Sequence, residues 1–523
     1  MENRFDYIIV GGGAAGSVLA ARLSERSDIK VALVEAGAKD SVAEISMPLA
    51  SMQLFKSKFD WDFESEPEPA LEGRTLYIPR GKTLGGSTSI NMMIYHRGNP
   101  ADYSEWACRG ATGWSYEDLL PYFIKSEGNT RDGSDDLHGK SGPVCVSDSR
   151  SGLPHFEWFL DAAAQAGHRR TADFIGASPL GFGYYQLMQR DGLRCSTAGA
   201  YLHPNWERRN LTVVTNTLVT RVIFDRGRAV GIAVDRDGAE EMLHADAEVI
   251  LSAGTFGSAQ LLLLSGIGPA QDLQAHRLPV VADLPVGENL QDHPFVQLEY
   301  LTDERTLRSA GSSEEDFLLF QHGCGIFTSN GAEAGGFIST AGHGDLADVQ
   351  LYFGAAMYDN AGLMQPYDDA LGVGLNLLKP SSRGKVSLRT ARPDSKPRIQ
   401  FNFLTTEDDR RVMIDGVKVA ADILAQPSLR SRLRAPYLVP KSLSDDDIML
   451  HLQRNVGTIH HPVGTCAIGS VVDSDLKVMG VDGLRVIDAS IIPSALRGNT
   501  AAPVIAIAEK AADMLAGRGP GTR

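Results

Sequence analysis

Residues 7–10, Tyr-Ile-Ile-Val, are apolar without interruption and give way at once to Gly11-Gly12-Gly13. A short unbroken apolar run bounded by glycines reads as a buried strand. Residues 14–25 follow as a helix and residues 31–34 as a second strand that ends on Glu35. Short runs rich in β-branched residues return at 211–215, 219–224 and 229–234, split by turns such as Asp225-Arg226-Gly227. They predict a meander appended to the first sheet. Residues 248–252 then read as a further parallel strand, Ala253-Gly254 as a turn and 258–264 as a helix. From about residue 294 to 454 the pattern changes to loops and alternating strands, for example 385–389 and 398–403, with a helix at 407–425. Residues 483–488 predict a strand and 500–515 a last helix, in which Val504, Ile507, Ala508, Ala511 and Leu515 share one face. Pro503 falls in its first turn, where a missing N–H costs little. Two polar stretches interrupt these elements: 48–79 predicts an extended connection, and 127–143, with four glycines, three aspartates and a histidine, a surface loop.

At 523 residues the chain exceeds the roughly 250–300 at which one core stops growing, so two domains are expected. With 43% hydrophobic and 22% charged residues it has ample material for both cores. The net charge of −15 argues against nucleic acid or an anionic membrane as partner. Cys108, Cys145, Cys195, Cys324 and Cys466 are odd in number and scattered, with no C-x-x-C pair. They predict a reducing compartment, no disulfide framework and no metal site. No run approaches the ~20 apolar residues of a membrane span, and the expectation is a cytoplasmic protein.

The chemistry begins at Gly11, Gly13 and Gly16, spaced G-x-G-x-x-G between a strand and a helix. Gly11 allows the tight turn, Gly13 lets backbone approach a pyrophosphate, and Gly16 lets helix pack on strand. The helix then points unpaired N–H groups at the phosphates. Glu35, 19 residues after Gly16, stands where a carboxylate accepts from ribose hydroxyls. The motif leaves FAD and NAD both open. A second run, Gly81-Lys82-Thr83-Leu84-Gly85-Gly86-Ser87-Thr88-Ser89-Ile90-Asn91, is flexible and rich in donors, suited to a flat polar ligand.

Together with the fingerprint, this second run resembles the flavin-contacting signature of the glucose-methanol-choline (GMC) oxidoreductases. The resemblance continues through Met92-Met93-Ile94 to Arg97-Gly98, and in Gly254-Thr255-Phe256-Gly257-Ser258-Ala259-Gln260-Leu261, where Ala259 replaces the usual proline or serine. It extends to 286–293, to Asp488-Ala489-Ser490 and to Gly498-Asn499-Thr500, nearly the whole chain. It implies an α/β fold: an FAD-binding Rossmann-like domain of GMC type, with a second α+β substrate domain built on an antiparallel sheet. The expected division assigns 1–155, 191–293 and 455–523 to the first domain, and 156–190 and 294–454 to the second. FAD would be held by Gly11, Gly13, Ala14, Ala15, Gly16, Glu35 and Ala36 at the adenine half. Leu84, Gly86, Ser87, Asn91, Met92, Met93 and Ile94 would hold the ring, with Val219, Ala253, Asp488, Ala489, Asn499 and Thr500 completing the set. Where some relatives carry a histidine that binds flavin covalently, this chain has Ile90, so non-covalent FAD is expected.

Oxidising an alcohol removes a proton from oxygen and a hydride from carbon, and a base that titrates near neutrality suits the first. In Thr458-Ile459-His460-His461-Pro462, His461 matches the family's base, and imidazole is the side chain that changes charge nearest pH 7. Asn499 matches its partner; its amide would hold the substrate oxygen and could also cap the last helix. His460 is the third candidate, as a packed, hydrogen-bonded side chain pointing away from the flavin or as a substrate contact. The last helix would either aim its dipole at the flavin or merely close the domain, and Cys466 reads as small and inert.

The expected reaction is oxidation of a primary alcohol to its aldehyde, with oxygen or a quinone as acceptor. The resemblance reaches the family's choline and sorbose dehydrogenases and its oxidases of heteroaromatic alcohols such as pyridoxine; the histidine pair inclines the reading to the latter. A non-redox lyase on the same fold and a non-catalytic flavin binder are the rivals. Phe327, Tyr352, Phe353 and Tyr358 are the aromatics that could be either pocket or core.

Overall fold

The computed structural model describes residues 3–131, 136–176, 179–236, 238–340 and 344–518. Two seven-stranded sheets organise them. The first runs in the order Leu211–Val214, Val31–Val34, Arg4–Val10, Ala239–Leu251, Arg228–Arg236, Leu218–Asp225, with Leu484–Val486 on the far end of Ala239–Leu251. Its middle strands are parallel, and all four residues of Val31–Val34 are buried, as expected for a sheet covered on both faces. The register Val10↔Val34 brings the two strand ends level, so Gly11 N–H donates to the Val34 carbonyl at 2.8 Å. Gly11 and Glu35 thereby meet at the carboxyl edge of the sheet, where such folds bind ligands.

Two expectations for this sheet change. The strand expected at 248–252 is the tail of a 13-residue strand, Ala239–Leu251. Its exposed head pairs antiparallel in the meander and its buried tail parallel with Arg4–Val10, which is why only the tail carries an apolar run. Leu211–Val214 lies outside that meander, as the parallel neighbour of Val31–Val34.

The last helix, Ala501–Leu515, packs on the first, Ala14–Leu23. Glu509 is fully buried between them and accepts from Arg22 and, at 2.8 Å, from the Tyr201 hydroxyl. The last helix is thereby tied to the first helix and to Tyr201.

The second sheet is antiparallel, in the order Leu433–Leu438, Pro294–Thr302, Ala370–Leu377, Val349–Gly354, Ala334–Ile338, Gly181–Tyr184. Helix Glu407–Ala425 covers one face, and Gly416 lets it come close: a Cβ there would lie 2.9 Å from Leu375. Gly457–Thr458 pairs with the start of Pro294–Thr302, so the histidine segment leaves this second sheet and not the first. The runs at 385–389 and 398–403 form a separate ribbon, Lys385–Ser387 with Arg398–Gln400.

The connection at 48–79 carries the 3-10 turns Pro48–Leu54 and Pro69–Leu71 and the short pair Phe63–Glu64 with Tyr77–Ile78, and is otherwise turns and irregular chain. The stretch 127–143 differs from a surface loop. Glu127–Asn129 is a strand beside Val144–Val146, and the buried Glu127 accepts from Arg97 and contacts His138 at 2.9 Å. His138 also meets Asp173 at 3.1 Å, and these two acids hold its pKa up at about 9. Residues 132–135 of that stretch lie outside the described residues. Among the described residues no helix is long and apolar enough to cross a membrane.

Candidate active site

A cavity of about 830 Å³ runs from the carboxyl edge of the first sheet to the open face of the second. At the sheet end two glycine turns meet. Gly11 sits at φ +99, and a Cβ on it would lie 2.5 Å from the Ser252 carbonyl. A Cβ on Gly86 would lie 2.7 Å from the Cα of Gly13. Only glycines fit there, so bare backbone faces the cavity. Glu35 accepts from the N–H groups of Gly12 and Gly37 at 2.7 Å each, and burial pushes its pKa up to about 6.

Ala14, Ala15, Ala36, Val219, Ala253, Asp488, Ala489 and Thr500 also line the cavity. Two expected contacts do not. Gly16 serves packing alone: a Cβ would fall 1.9 Å from the Gly11 carbonyl. Leu84 is fully buried against Gly12, because the turn that exposes Gly86 and Ser87 folds its side chain under the fingerprint loop.

Ser87, Asn91, Met92, Met93 and Ile94 line the middle of the cavity. The Asn91 side chain accepts from Met93 N–H at 3.0 Å, and Met93 takes φ +58 to permit it. Asp488 accepts from Gly254 N–H at 2.9 Å and Ser258 Oγ at 2.6 Å, which fixes the start of the helix Gly254–Leu264. The last helix opens its N-terminus on the cavity through Thr500, Ala501 and Val504. Asn499 does not cap it; its amide is engaged elsewhere.

That engagement defines the reacting end. Gln350 Nε2 donates to Asn499 Oδ1 at 3.2 Å, which turns the amide nitrogen of Asn499 toward His461 Nε2, also at 3.2 Å. His461 Nε2 is therefore the acceptor, and the imidazole proton sits on Nδ1, 3.0 Å from His293 Nδ1. Burial, then the neighbours His293, His460 and Arg80, hold the His461 pKa well below 6.5. At neutral pH this histidine is an uncharged base.

Its backbone is clamped as well. Asp292 accepts from the N–H groups of His293 (2.7 Å) and His461 (2.8 Å) and from Thr458 Oγ at 2.5 Å. Thr458 Oγ in turn accepts from His460 N–H at 2.7 Å.

Of the two readings of His460, the structure fits the one that faces the cavity. The His460 backbone takes φ +69, so the alternation that would turn its side chain away fails, and both histidines line the cavity. Neither of its ring nitrogens has a hydrogen-bond partner, while its carbonyl accepts from Arg80 at 2.8 Å. Burial lowers its pKa to about 3.

The substrate wall contains residues that sequence reasoning missed. Phe295, Gln297 and Glu299 project from one face of Pro294–Thr302, over Gly374 and Gly372 of the neighbouring strand. A Cβ on Gly374 would meet the Phe295 ring at 2.5 Å, and one on Gly372 the Glu299 side chain at 2.8 Å. Glu299 accepts from Tyr358 N–H at 2.8 Å, its other oxygen has no partner, and burial raises its pKa to about 7. The one signal was a polar residue at alternate positions of an apolar strand. Phe327, Tyr352 and Tyr358 line the cavity, whereas Phe353 is core, stacked on Phe159 at 4.9 Å. Cys466 is fully buried with its thiol pushed up to about 12, hence inert.

A glycine cradle, a buried ribose-level carboxylate, a helix N-terminus and two orphaned ring nitrogens fit an extended dinucleotide with a flat ring at the His461 end. The fold and site are those of a dinucleotide-dependent oxidoreductase. The GMC oxidoreductase family models match residues 5–295 and 380–508. An oxygen-dependent choline dehydrogenase of Photobacterium profundum is 39% identical over 99% of this chain and 94% of its own length. An alcohol dehydrogenase (acceptor) of Pseudomonas putida is 39% identical over 98% and 95%. The solved pyridoxine 4-oxidase from Mesorbium loti superposes with a TM-score of 0.89 at 29% identity, covering 98% of this chain and 100% of that one. This chain belongs to the GMC oxidoreductase family, and it is an FAD-dependent oxidoreductase acting on alcohols.

Proposed function

We propose that the protein oxidises a small aromatic or heteroaromatic primary alcohol to its aldehyde. The carrying observation is the pairing of a neutral His461, its Nε2 lone pair held in the cavity by Asn499, with a wall of Phe295, Tyr352, Tyr358 and Phe327. Rings of this kind stack on flat apolar substrates. The similarity to pyridoxine 4-oxidase supports the same class.

In this mechanism the substrate hydroxyl enters between His461 and Asn499. His461 Nε2 takes its proton, and the Asn499 amide donates to the oxygen as negative charge grows there. His293 and Asn499 keep the imidazole in the tautomer that can accept, and Asp292 holds its backbone in place. Bound FAD, cradled by Gly11, Gly13 and Gly86 and by Glu35, supplies the hydride acceptor. His460 faces the same space and serves as a substrate or ring contact. With Ile90 in place of a histidine, the FAD is non-covalent.

A second reading is an amino-alcohol such as choline, favoured by the acid Glu299 in the wall and by the choline dehydrogenase similarity. Mixing the yellow protein with alcohols without air separates the two. Benzylic and pyridylmethyl alcohols should bleach the flavin fastest, and His461→Ala should slow bleaching by ~10²–10⁴-fold while FAD stays bound. Choline bleaching faster than every aromatic alcohol would replace the first reading with the second. Readmitting air then distinguishes oxygen from a quinone-type acceptor. The five free cysteines support a reducing, cytoplasmic location. The strand assignment supports division into 1–155, 191–293 and 455–523 against 156–190 and 294–454, with residues 457–458 on the second sheet.

A further inference from the structure

Arg194 is buried, yet no carboxylate among the described residues is within ion-pairing reach of it. By contrast Arg97, also buried, is matched by Glu127. The Arg194 guanidinium spends its donors on neutral oxygens: Nε on the Ile45 carbonyl (2.8 Å), Nη1 on the Thr88 carbonyl (3.1 Å) and Asn91 Oδ1 (2.8 Å), Nη2 on Ser51 Oγ (2.5 Å). Burial brings its pKa down to about 9, still above neutral pH, so the charge is retained. A buried charge without a counter-ion is unfavourable by several kcal/mol. What the protein lacks, a ligand could provide.

The place of this charge is informative. Asn91 and Ser51 both line the cavity, and Arg194 stands directly behind them. Asn91 belongs to the segment between the Gly86 cradle and Met92, whose carbonyl accepts from Asn330 at 2.8 Å at the edge of the substrate domain. By the family resemblance, that stretch would hold the flavin ring and not the adenosine, and the inference rests on that reading.

We propose that Arg194 is the counter-charge for the reduced flavin. When a hydride, two electrons with one proton, leaves the carbinol carbon for the neutral oxidised ring, the ring gains one negative charge, and the hydroxyl proton goes to His461. A fixed positive charge in a desolvated setting stabilises that product and raises the reduction potential of the ring. The role is independent of which alcohol is oxidised.

The test uses two holoenzyme variants, Arg194→Gln and Arg194→Lys, with two readouts besides turnover. One is the midpoint potential of the bound flavin by dye equilibration. The other is the affinity for sulfite, which adds to the oxidised ring and leaves it anionic. Arg194→Gln should shift the potential negative and weaken sulfite binding at least about tenfold, equivalent to ~1.4 kcal/mol. Arg194→Lys, which keeps the charge but cannot reproduce the four-way hydrogen bonding, should stay near the parent in both. If Arg194→Gln retains FAD with parental potential and sulfite affinity, the residue merely holds Asn91 and Ser51, and the proposal falls. If Arg194→Gln cannot hold FAD, Arg194→Lys decides: a parental potential supports the charge role, and a negative shift despite the retained charge overturns it.

Discussion

At Asn499 the orientation of one amide decides the chemistry of its neighbour. Tyr185 donates to the Leu351 carbonyl and accepts from Gln350, Gln350 donates to Asn499, and Asn499 donates to His461. Each donor in this series removes a choice from the next residue, ending with a lone pair on His461 Nε2. A base works when deprotonated, above its pKa, and an unperturbed imidazole titrates near 6.5. Burial and the neighbouring histidines lower that value in His461. In a Glu299→Gln background, which removes the wall acid that titrates near 7, kcat/KM should therefore stay level from pH 8 down through 6.5 and decline only in more acid solution. A pH-rate profile with its acid midpoint at or above 6.5 would contradict the electrostatics described for His461.

Among elements, the two glycine turns form one device. Gly86 at φ +52 rests against the Cα of Gly13, so the second turn closes the phosphate cradle that the first opens. Gly86→Ala places a Cβ against backbone and strains φ, at roughly 1–2 kcal/mol for the left-handed conformation alone. The expected outcome is a protein that folds but binds FAD at least about tenfold more weakly, measured by flavin fluorescence on titration into apoprotein. Parental FAD affinity in that variant would mean the two turns are not a joint cradle. Strand Pro294–Thr302 is the other informative element. Its first residues pair with Gly457–Thr458 beneath the histidines, and its alternate residues build the substrate wall. One strand thus sets both the base and the pocket.

For the whole molecule, cofactor and fold are linked. The cavity lies between the two sheets, and its lining comes from both, so FAD bound there would bridge segments far apart in sequence. A ligand that binds only the folded state adds about 2.7 kcal/mol at a hundredfold excess over its Kd. Stripping FAD should lower Tm, and titrating it back should raise Tm with the logarithm of FAD concentration. Denaturation followed by filtration should release all the flavin, because Ile90 offers no covalent attachment. Flavin retained with the denatured protein would refute that.

Local pattern was enough for the fingerprint and the last helix, because these follow from glycine spacing and apolar period, whereas the pairing of His461 with Asn499 was an implication of the family resemblance. The strand at 248–252 was legible only in its buried half, since the exposed head carries no apolar signal. Leu84 looked like its neighbours in the second glycine run, and only the fold of the turn puts it underneath. The sequence left two directions open for His460, and one positive φ, which adjacent residue types do not reveal, decided between them. Arg194, Asp292, His293 and Glu299 take their roles from partners and burial supplied by distant segments. Sequence by itself determined most of the elements and a dinucleotide site, because backbone conformation and motif spacing are local, while the choice of FAD came from the resemblance to a known family. The tautomer of the base, the wall of the pocket and the unpaired charge were decided by tertiary structure, because hydrogen bonding and desolvation depend on what the fold brings together.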